Sequence, residues 1–368
     1  MYDVILSFIT SFTLTYFAIP PIINIAISKN LCDEPGERRS HSVSTPSLGG
    51  IAIFAGLIFS IIMWTPFNVF GDLQYILCAF IILFLVGAKD DIAPVSAKKK
   101  LTAQLLAAII LVFKSNIVIT SFYGLLGINE LYDWASILIS IFTILVIINA
   151  FNLIDGINGL SGSIATLISI TLGTWFLLME RMDMAIIAYA LAGASIAFLK
   201  YNFTPAKIFM GDTGSLIVGL TCSILIIEFI ELHQVSPNSP YAFSAVPAVA
   251  LGILILPLFD TLRVFIVRAA RGKSPLNPDR SHIHHLLLDF GLSHMQATGL
   301  LVLVNIFFIL LVIALQELGN HSLILLISVI ASSLTYVLYS AVNRRKNQIK
   351  EQMNETPKKK ERLKETAL

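Results

Sequence analysis

Four aspartates carry the first chemical signal. Asp90 and Asp91 stand side by side in GAKDDIAPVSAKKK (87–100), Asp155 lies in NAFNLIDGINGLSGS (149–163), and Asp212 in NFTPAKIFMGDTGS (202–215). Adjacent carboxylates raise each other's pKa or demand a cation. Asn149, Asn152, Asp155 and Asn158 recur every third residue, a spacing that would put them on one face of a helical end. Capping would account for Gly156 and Gly159, but not for four amide or carboxylate groups aimed the same way. Asp212 is placed to cap a helix, with Thr213 and Ser215 in its first turn, and a helix start is also where phosphate binds well. A fourth run, 260–285, opens with Asp260 and Arg263 one turn apart, as an intrahelical pair would be. It ends with Arg280, His282, His284 and His285, beside Arg268, Arg271 and Lys273. A zinc site would want Cys or carboxylate to complete a tetrahedron; the abundance of Arg favours a loop for an anionic ligand. A Pro/Gly-rich run, 33–50, is the fifth. Acidic groups suited to a hard cation (Asp90, Asp91, Asp155, Asp212, with the Asn152 amide) beside basic groups suited to phosphate are what a magnesium-assisted phosphoryl transfer needs.

The elements that must position these groups are apolar helices. Of 368 residues 56% are hydrophobic and 13% charged, and the mean hydropathy is +0.82. A soluble domain is about a quarter charged, so the chain is an integral membrane protein of all-α class. Disordered, collagen-like and disulfide-framework classes are excluded, since Cys32, Cys78 and Cys222 lie far apart without a paired spacing. Apolar runs near 4–27, 48–64, 73–88, 101–115, 133–151, 160–178, 183–199, 213–230, 243–267, 297–315 and 321–341 predict about eleven transmembrane helices. Pro20 and Pro21 are expected to bend the inner end of the first. The loops after the odd-numbered runs, with the tail, hold 22 of the 25 Lys/Arg. The positive-inside rule then puts the N-terminus outside and the C-terminus in the cytoplasm, and all five polar runs on the cytoplasmic face. Residues 1–341 form the transmembrane domain. Residues 342–368, with nine Lys/Arg and four Glu, form a basic tail expected to lie on anionic lipid and to be disordered.

The five runs, in this order from Asp33 to His285, resemble the polyprenyl-phosphate N-acetylhexosamine-1-phosphate transferases (the WecA/TagO branch), relatives of the phospho-MurNAc-pentapeptide translocase and the dolichyl-phosphate GlcNAc-phosphotransferase. The resemblance implies that a cytosolic UDP-N-acetylhexosamine, with GlcNAc the first choice, gives its sugar 1-phosphate to undecaprenyl phosphate and releases UMP. It implies that Asp90 and Asp91 orient or deprotonate the lipid phosphate, that Asp212 binds Mg2+ (Mn2+ as the alternative ion) with Asn152 beside it, and that Asp155 is required. It also implies that Asn158 faces the uracil, and that Lys98 and Lys100 supply basic groups. Arg280, His282, His284 and His285 would surround the sugar and diphosphate, and His41 and Arg271 are counted with the substrate-binding groups. Bacterial members usually read DGxDG where this chain reads Asp155-Gly156-Ile157-Asn158-Gly159; an amide cannot act as a base, so Asn158 is assigned to binding. The expected setting is the bacterial inner membrane, as the first membrane step of a cell-surface polysaccharide. A homodimer is among the expected partners and nucleic acid is not. A transporter or flippase of an anionic lipid or nucleotide is the alternative, but it would place charges near the midplane on paired broken helices. Here Glu228, expected in an exposed position near the outer end of its run, is the exception to charges gathered at one face.

Overall fold

The computed structural model describes residues 1–33, 45–66, 70–272 and 281–365. Every apolar run falls on a helix. In chain order these are α1 (Tyr2–Ser28), α2 (Gly49–Trp64), α3 (Phe70–Ile92), α4 (Ala97–Lys114), α5 (Asp133–Ile154), α6 (Leu160–Leu178), α7 (Met182–Asn202), α8 (Gly211–Val235), α9 (Val246–Ile253), α10 (Ile255–Ala270), α11 (Ile283–Phe290), α12 (His294–Ala314) and α13 (Gly319–Glu365). A ribbon of two residues a side, β1 (Cys32–Asp33) against antiparallel β2 (Thr45–Pro46), lies between α1 and α2 in the chain. Among the described residues, seven helices are long and apolar enough to cross a membrane, or eight if the bent pair of α9 and α10 is one span. α2 is shorter, at 16 residues, while α3 and α4 carry charge at their ends (Lys89 to Asp91, Lys98 to Lys100).

The helix α8 is the centre of the bundle, buried over 89% of its most apolar stretch. Glycines let its neighbours approach to backbone distance. A Cβ on Gly50 of α2 would lie 2.1 Å from the amide nitrogen of Gly214, and one on Gly87 of α3 would lie 2.5 Å from the Cα of Thr213. Both contacts converge on the first turn of α8. On α1, Ser11 donates to the carbonyl of Ala190 at 2.7 Å and Thr15 to that of Ala52 at 3.2 Å, so this outer helix is held to α7 and α2 by side chain-to-backbone bonds. α1 itself runs on through Pro20 and Pro21.

Four expectations are corrected. The single run 243–267 is two helices meeting at 84°. Pro257 explains it: its ring lacks a donor and clashes with the carbonyl four residues back, that of Ile253. In an apolar setting the freed backbone groups need partners, and Asn305 of α12, buried, supplies both. Its Nδ2 donates to the Ile253 carbonyl at 3.2 Å, and its Oδ1 accepts from the Leu256 amide at 3.3 Å. Glu228 is not simply exposed; its side chain is 14% accessible and pairs with Arg181 at 3.1 Å, because a carboxylate half-buried among helices needs a cation. The tail, expected without order, continues α13 as helix to Glu365, in keeping with its many Lys, Glu, Gln and Arg. It is also tied down at its start, where Lys346 pairs with Asp289 at 2.7 Å and the Arg345 guanidinium lies over the Phe290 ring. Finally, α5 ends at Ile154, so the asparagine series does not share one helical face.

Replacing Asn305 by Leu strips both partners from the α9–α10 break while keeping the volume. We expect a loss of about 1–3 kcal/mol, read as a lowered unfolding midpoint in detergent. An unchanged midpoint would mean that the break is satisfied without Asn305.

Candidate active site

The polar runs meet at one end of the bundle, around a cavity of about 530 Å3. Asp90, Asp91, Asn152, Asp155, Asn158, Asp212 and Ser215 line it, with Cys32 and Ser47 from the α1–α2 connection. Asp91, on the last turn of α3, reaches the start of α8. Its Oδ1 accepts from the Asp212 amide at 2.6 Å, and its Oδ2 from the Thr213 amide at 3.0 Å and the Thr213 hydroxyl at 2.5 Å. The cap of α8 is therefore supplied by another helix. Asp212, expected as the cap, lies in the first turn, and α8 is preceded by Met210. Gly211 takes φ +71°, and a Cβ there would strike the Ser47 carbonyl and the Asp91 carboxylate. Freed from capping, the Asp212 side chain faces the other acids.

Lys100 joins them. Its ammonium is 2.5 Å from Asp90 Oδ2 and 2.8 Å from Asp212 Oδ2. Asp90 also accepts from the Val95 amide, which folds the turn between α3 and α4 around it. Asn152 Nδ2 donates to Asp212 Oδ1 at 2.5 Å and to Ser215 Oγ at 2.9 Å, so the amide presents its nitrogen, not its oxygen, to Asp212.

Asp155 is the C-cap of α5 and has no hydrogen-bond partner among the described residues. Burial, then the Asp212 and Asp91 carboxylates, raise it to about 8. Asn158 follows in the turn: its Nδ2 donates to Thr204 at 3.0 Å and its carbonyl accepts from Thr298 at 2.8 Å, while its Oδ1 is buried and unpartnered. Asn202 ties the turn to the next loop, accepting from the Gly159 amide at 2.7 Å and donating to the Ile208 carbonyl at 2.8 Å. Gly159, expected as a helix end, is the N-cap of α6 at φ +80°. Asn149 belongs elsewhere, its amide donating to Gln104 at 2.8 Å.

The histidines stand behind the cavity rather than in it. His282 and His284 are buried, 4% and 2% exposed, and His284 packs so closely on Gly156 that a Cβ there would lie 2.2 Å from its Nε2. Burial, then the neighbouring His285, hold the His284 imidazole down at about 3, so it is neutral and not the cationic group expected of this run. Asp260, which the sequence suggested as no more than a partner for Arg263, organises the segment. Its Oδ2 meets His282 Nδ1 at 2.9 Å, and its Oδ1 accepts from the Ile283 amide at 3.0 Å and from Arg263 at 2.9 Å. Its distance of 22 residues from His282 hid this role. Lys98 is exposed and Arg271 lines a separate groove. His41 and Arg280 lie outside the described residues. No group of three His, Cys, Asp or Glu among the described residues is arranged to hold a metal ion.

The Asp155 value gives a pH signature. Its carboxyl keeps a proton in the folded protein that the unfolded chain releases above about pH 4. Stability should therefore fall as pH rises from that value to about 8, because the unfolded state binds fewer protons in this window. In chelator-treated protein, Asp155→Asn should flatten the fall in unfolding midpoint across that range. An identical slope in the variant would place the ionisation elsewhere.

Residues 73–230 match the model of glycosyl transferase family 4. A Bacillus subtilis (strain 168) protein named probable undecaprenyl-phosphate N-acetylglucosaminyl 1-phosphate transferase is 35% identical over 322 residues, 86% of this chain and 86% of that one. Proteins of Escherichia coli O157:H7 and Yersinia pestis named undecaprenyl-phosphate alpha-N-acetylglucosaminyl 1-phosphate transferase are each 30% identical, over 76% of this chain and 75% of theirs. With that similarity spread over most of its length, and the cavity acids inside or beside the matched segment, the chain belongs to the undecaprenyl-phosphate N-acetylglucosaminyl 1-phosphate transferases of glycosyl transferase family 4.

Proposed function

We propose that the protein transfers N-acetylglucosamine 1-phosphate from its UDP-sugar to undecaprenyl phosphate, forming the lipid diphosphate sugar and UMP. The observation that carries this reading is the crowding of Asp90, Asp91, Asp155 and Asp212 around one cavity, with a single ammonium, that of Lys100, in contact with two of them. A lipid phosphate oxygen attacks the β-phosphorus in line, and the bond to UMP breaks. At neutral pH the lipid phosphate is largely ionised, its second pKa being about 6, so no strong base is needed. Asp91 has both oxygens committed to α8 and acts by holding the first turn in place. Asp90 and Lys100 steer the incoming phosphate. The unpartnered Oδ1 of Asn158 suits a donor such as the N–H of uracil.

The carboxylate oxygens of Asp90 and Asp212 suit a hard ion, Mg2+ first and Mn2+ second. Among the described residues, Asp90, Asp91 and Asp212 against the Lys100 ammonium also leave the cavity too negative for a diphosphate. The ion would supply neutralisation of the diphosphate and of the charge that develops on UMP. Asn152, as its amide stands, would act on Asp212 by hydrogen bonding rather than as a ligand. We further take α2, α3 and α4 as spans, giving eleven with the bent pair as one. The Lys/Arg asymmetry of the loops supports a cytoplasmic cavity in a bacterial inner membrane.

Detergent-purified protein should release UMP from UDP-GlcNAc only when both undecaprenyl phosphate and Mg2+ are present. Release with another UDP-acetamido sugar alone would move the sugar specificity, and release with none would sink the transferase reading. Asp212→Asn should fall below about a hundredth of the wild-type rate while remaining folded. A variant retaining a large fraction of the rate would remove Asp212 as the ion's main ligand.

A further inference from the structure

A second cavity lies on the far side of the His282–His285 segment. It holds about 560 Å3 and runs between α10, α11 and α13. Its α10 wall is the stripe Phe259, Arg263, Val267 and Arg271, one residue per turn, and its α13 wall includes Ser332, Thr335, Tyr336 and Tyr339. Among the described residues the two cavities share no lining residue.

Three observations give the occupant's chemistry. Apolar and basic residues alternate down the α10 wall: Phe259 and Val267 with the two tyrosines form the groove's apolar body, while Arg271 stands with Lys346, itself paired with Asp289, at the end where α10 and the apolar part of α13 give way to charged sequence. Arg271 is exposed and makes no ion pair among the described residues, and the Nε–H of Arg263 is buried without an acceptor. The groove opens to the bundle's outer surface, where Leu262, Ile266 and Tyr336 are 59%, 59% and 73% exposed, the surface expected to face acyl chains. Tyrosines at such a level belong to the boundary between hydrocarbon and headgroups.

We propose that this groove is a binding site for an anionic phospholipid, with the phosphate headgroup at Arg271 and Arg263 and an acyl chain along Phe259, Val267 and Tyr336. The site is distinct from the catalytic cavity but mechanically joined to it. Arg263 donates to Asp260, which fixes His282 and the start of α11, and His284 of α11 packs on Gly156 of the catalytic cavity. A lipid phosphate that takes up the free Arg263 N–H thus bears on the wall behind Asp155.

The test is native mass spectrometry of the full-length protein after incubation with mixed micelles of phosphatidylglycerol or of phosphatidylcholine. We expect a retained phosphatidylglycerol adduct and a weaker phosphatidylcholine one. Arg271→Gln should reduce the first about fivefold, the worth of one basic group at a membrane surface. Ser332→Trp, which fills the groove and removes no charge, should reduce both. Unfolding midpoints identify a variant that fails to fold, and either one alone decides the question. Equal retention of the two lipids, or adducts unchanged in the folded variants, overturns the proposal. So does displacement of phosphatidylglycerol by undecaprenyl phosphate together with a raised KM for that acceptor in the variants, which would make the groove the substrate's own.

Discussion

The Asp91 carboxylate, lodged on the first turn of α8, is the contact on which the rest of the site depends. It satisfies two backbone amides and a hydroxyl at a helix start, where the macrodipole favours negative charge. Because it comes from α3, it fixes the distance between two helices and fixes the direction in which Asp212 points. Gly87 and Gly50 are the sterically necessary counterpart, since a side chain at either would meet the backbone of α8 before the carboxylate could reach it. Crowded acids of this kind are tolerated only if each has a different means of bearing its charge. Asp91 has amides, Asp90 and Asp212 have Lys100, and Asp155 keeps its proton to higher pH.

Much of this arrangement was legible in the sequence. The eleven apolar runs fall on helices because twenty-residue hydropathy depends only on composition. The cavity acids were found because carboxylates are rare in an apolar chain and therefore conspicuous. Three things stayed hidden. The cap of α8 comes from a residue 121 positions away, and local spacing pointed instead to Asp212. The break at Leu254 was signalled by Pro257, yet hydropathy runs straight through it. Asp260 looked complete with Arg263 one turn away, and its bonds to His282 and Ile283 close a loop of more than twenty residues that no short-range pattern announces. The histidine run misled for a related reason: residue type suggests charge, but burial decides it, and His284 is neutral.

That neutrality bears on how the two cavities coexist. Among the described residues, Asp90, Asp91, Asp212 and the protonated Asp155 stand with the Lys100 ammonium on one side of the His282–His285 wall; on the other stand Arg263, Arg271 and Lys346, the last paired with Asp289. A charged wall would side with one cavity and work against the other. The His284 imidazole packs neutral on Gly156 of the catalytic cavity, and the charge that holds the wall in place is centred on the buried Asp260 with Arg263 and His282 around it. Removing one partner from such a point leaves an uncompensated buried charge, so the wall is stiff where it is anchored. On the side where the acids are, positive charge is supplied from across the cavity by Lys100, in contact with Asp90 and Asp212.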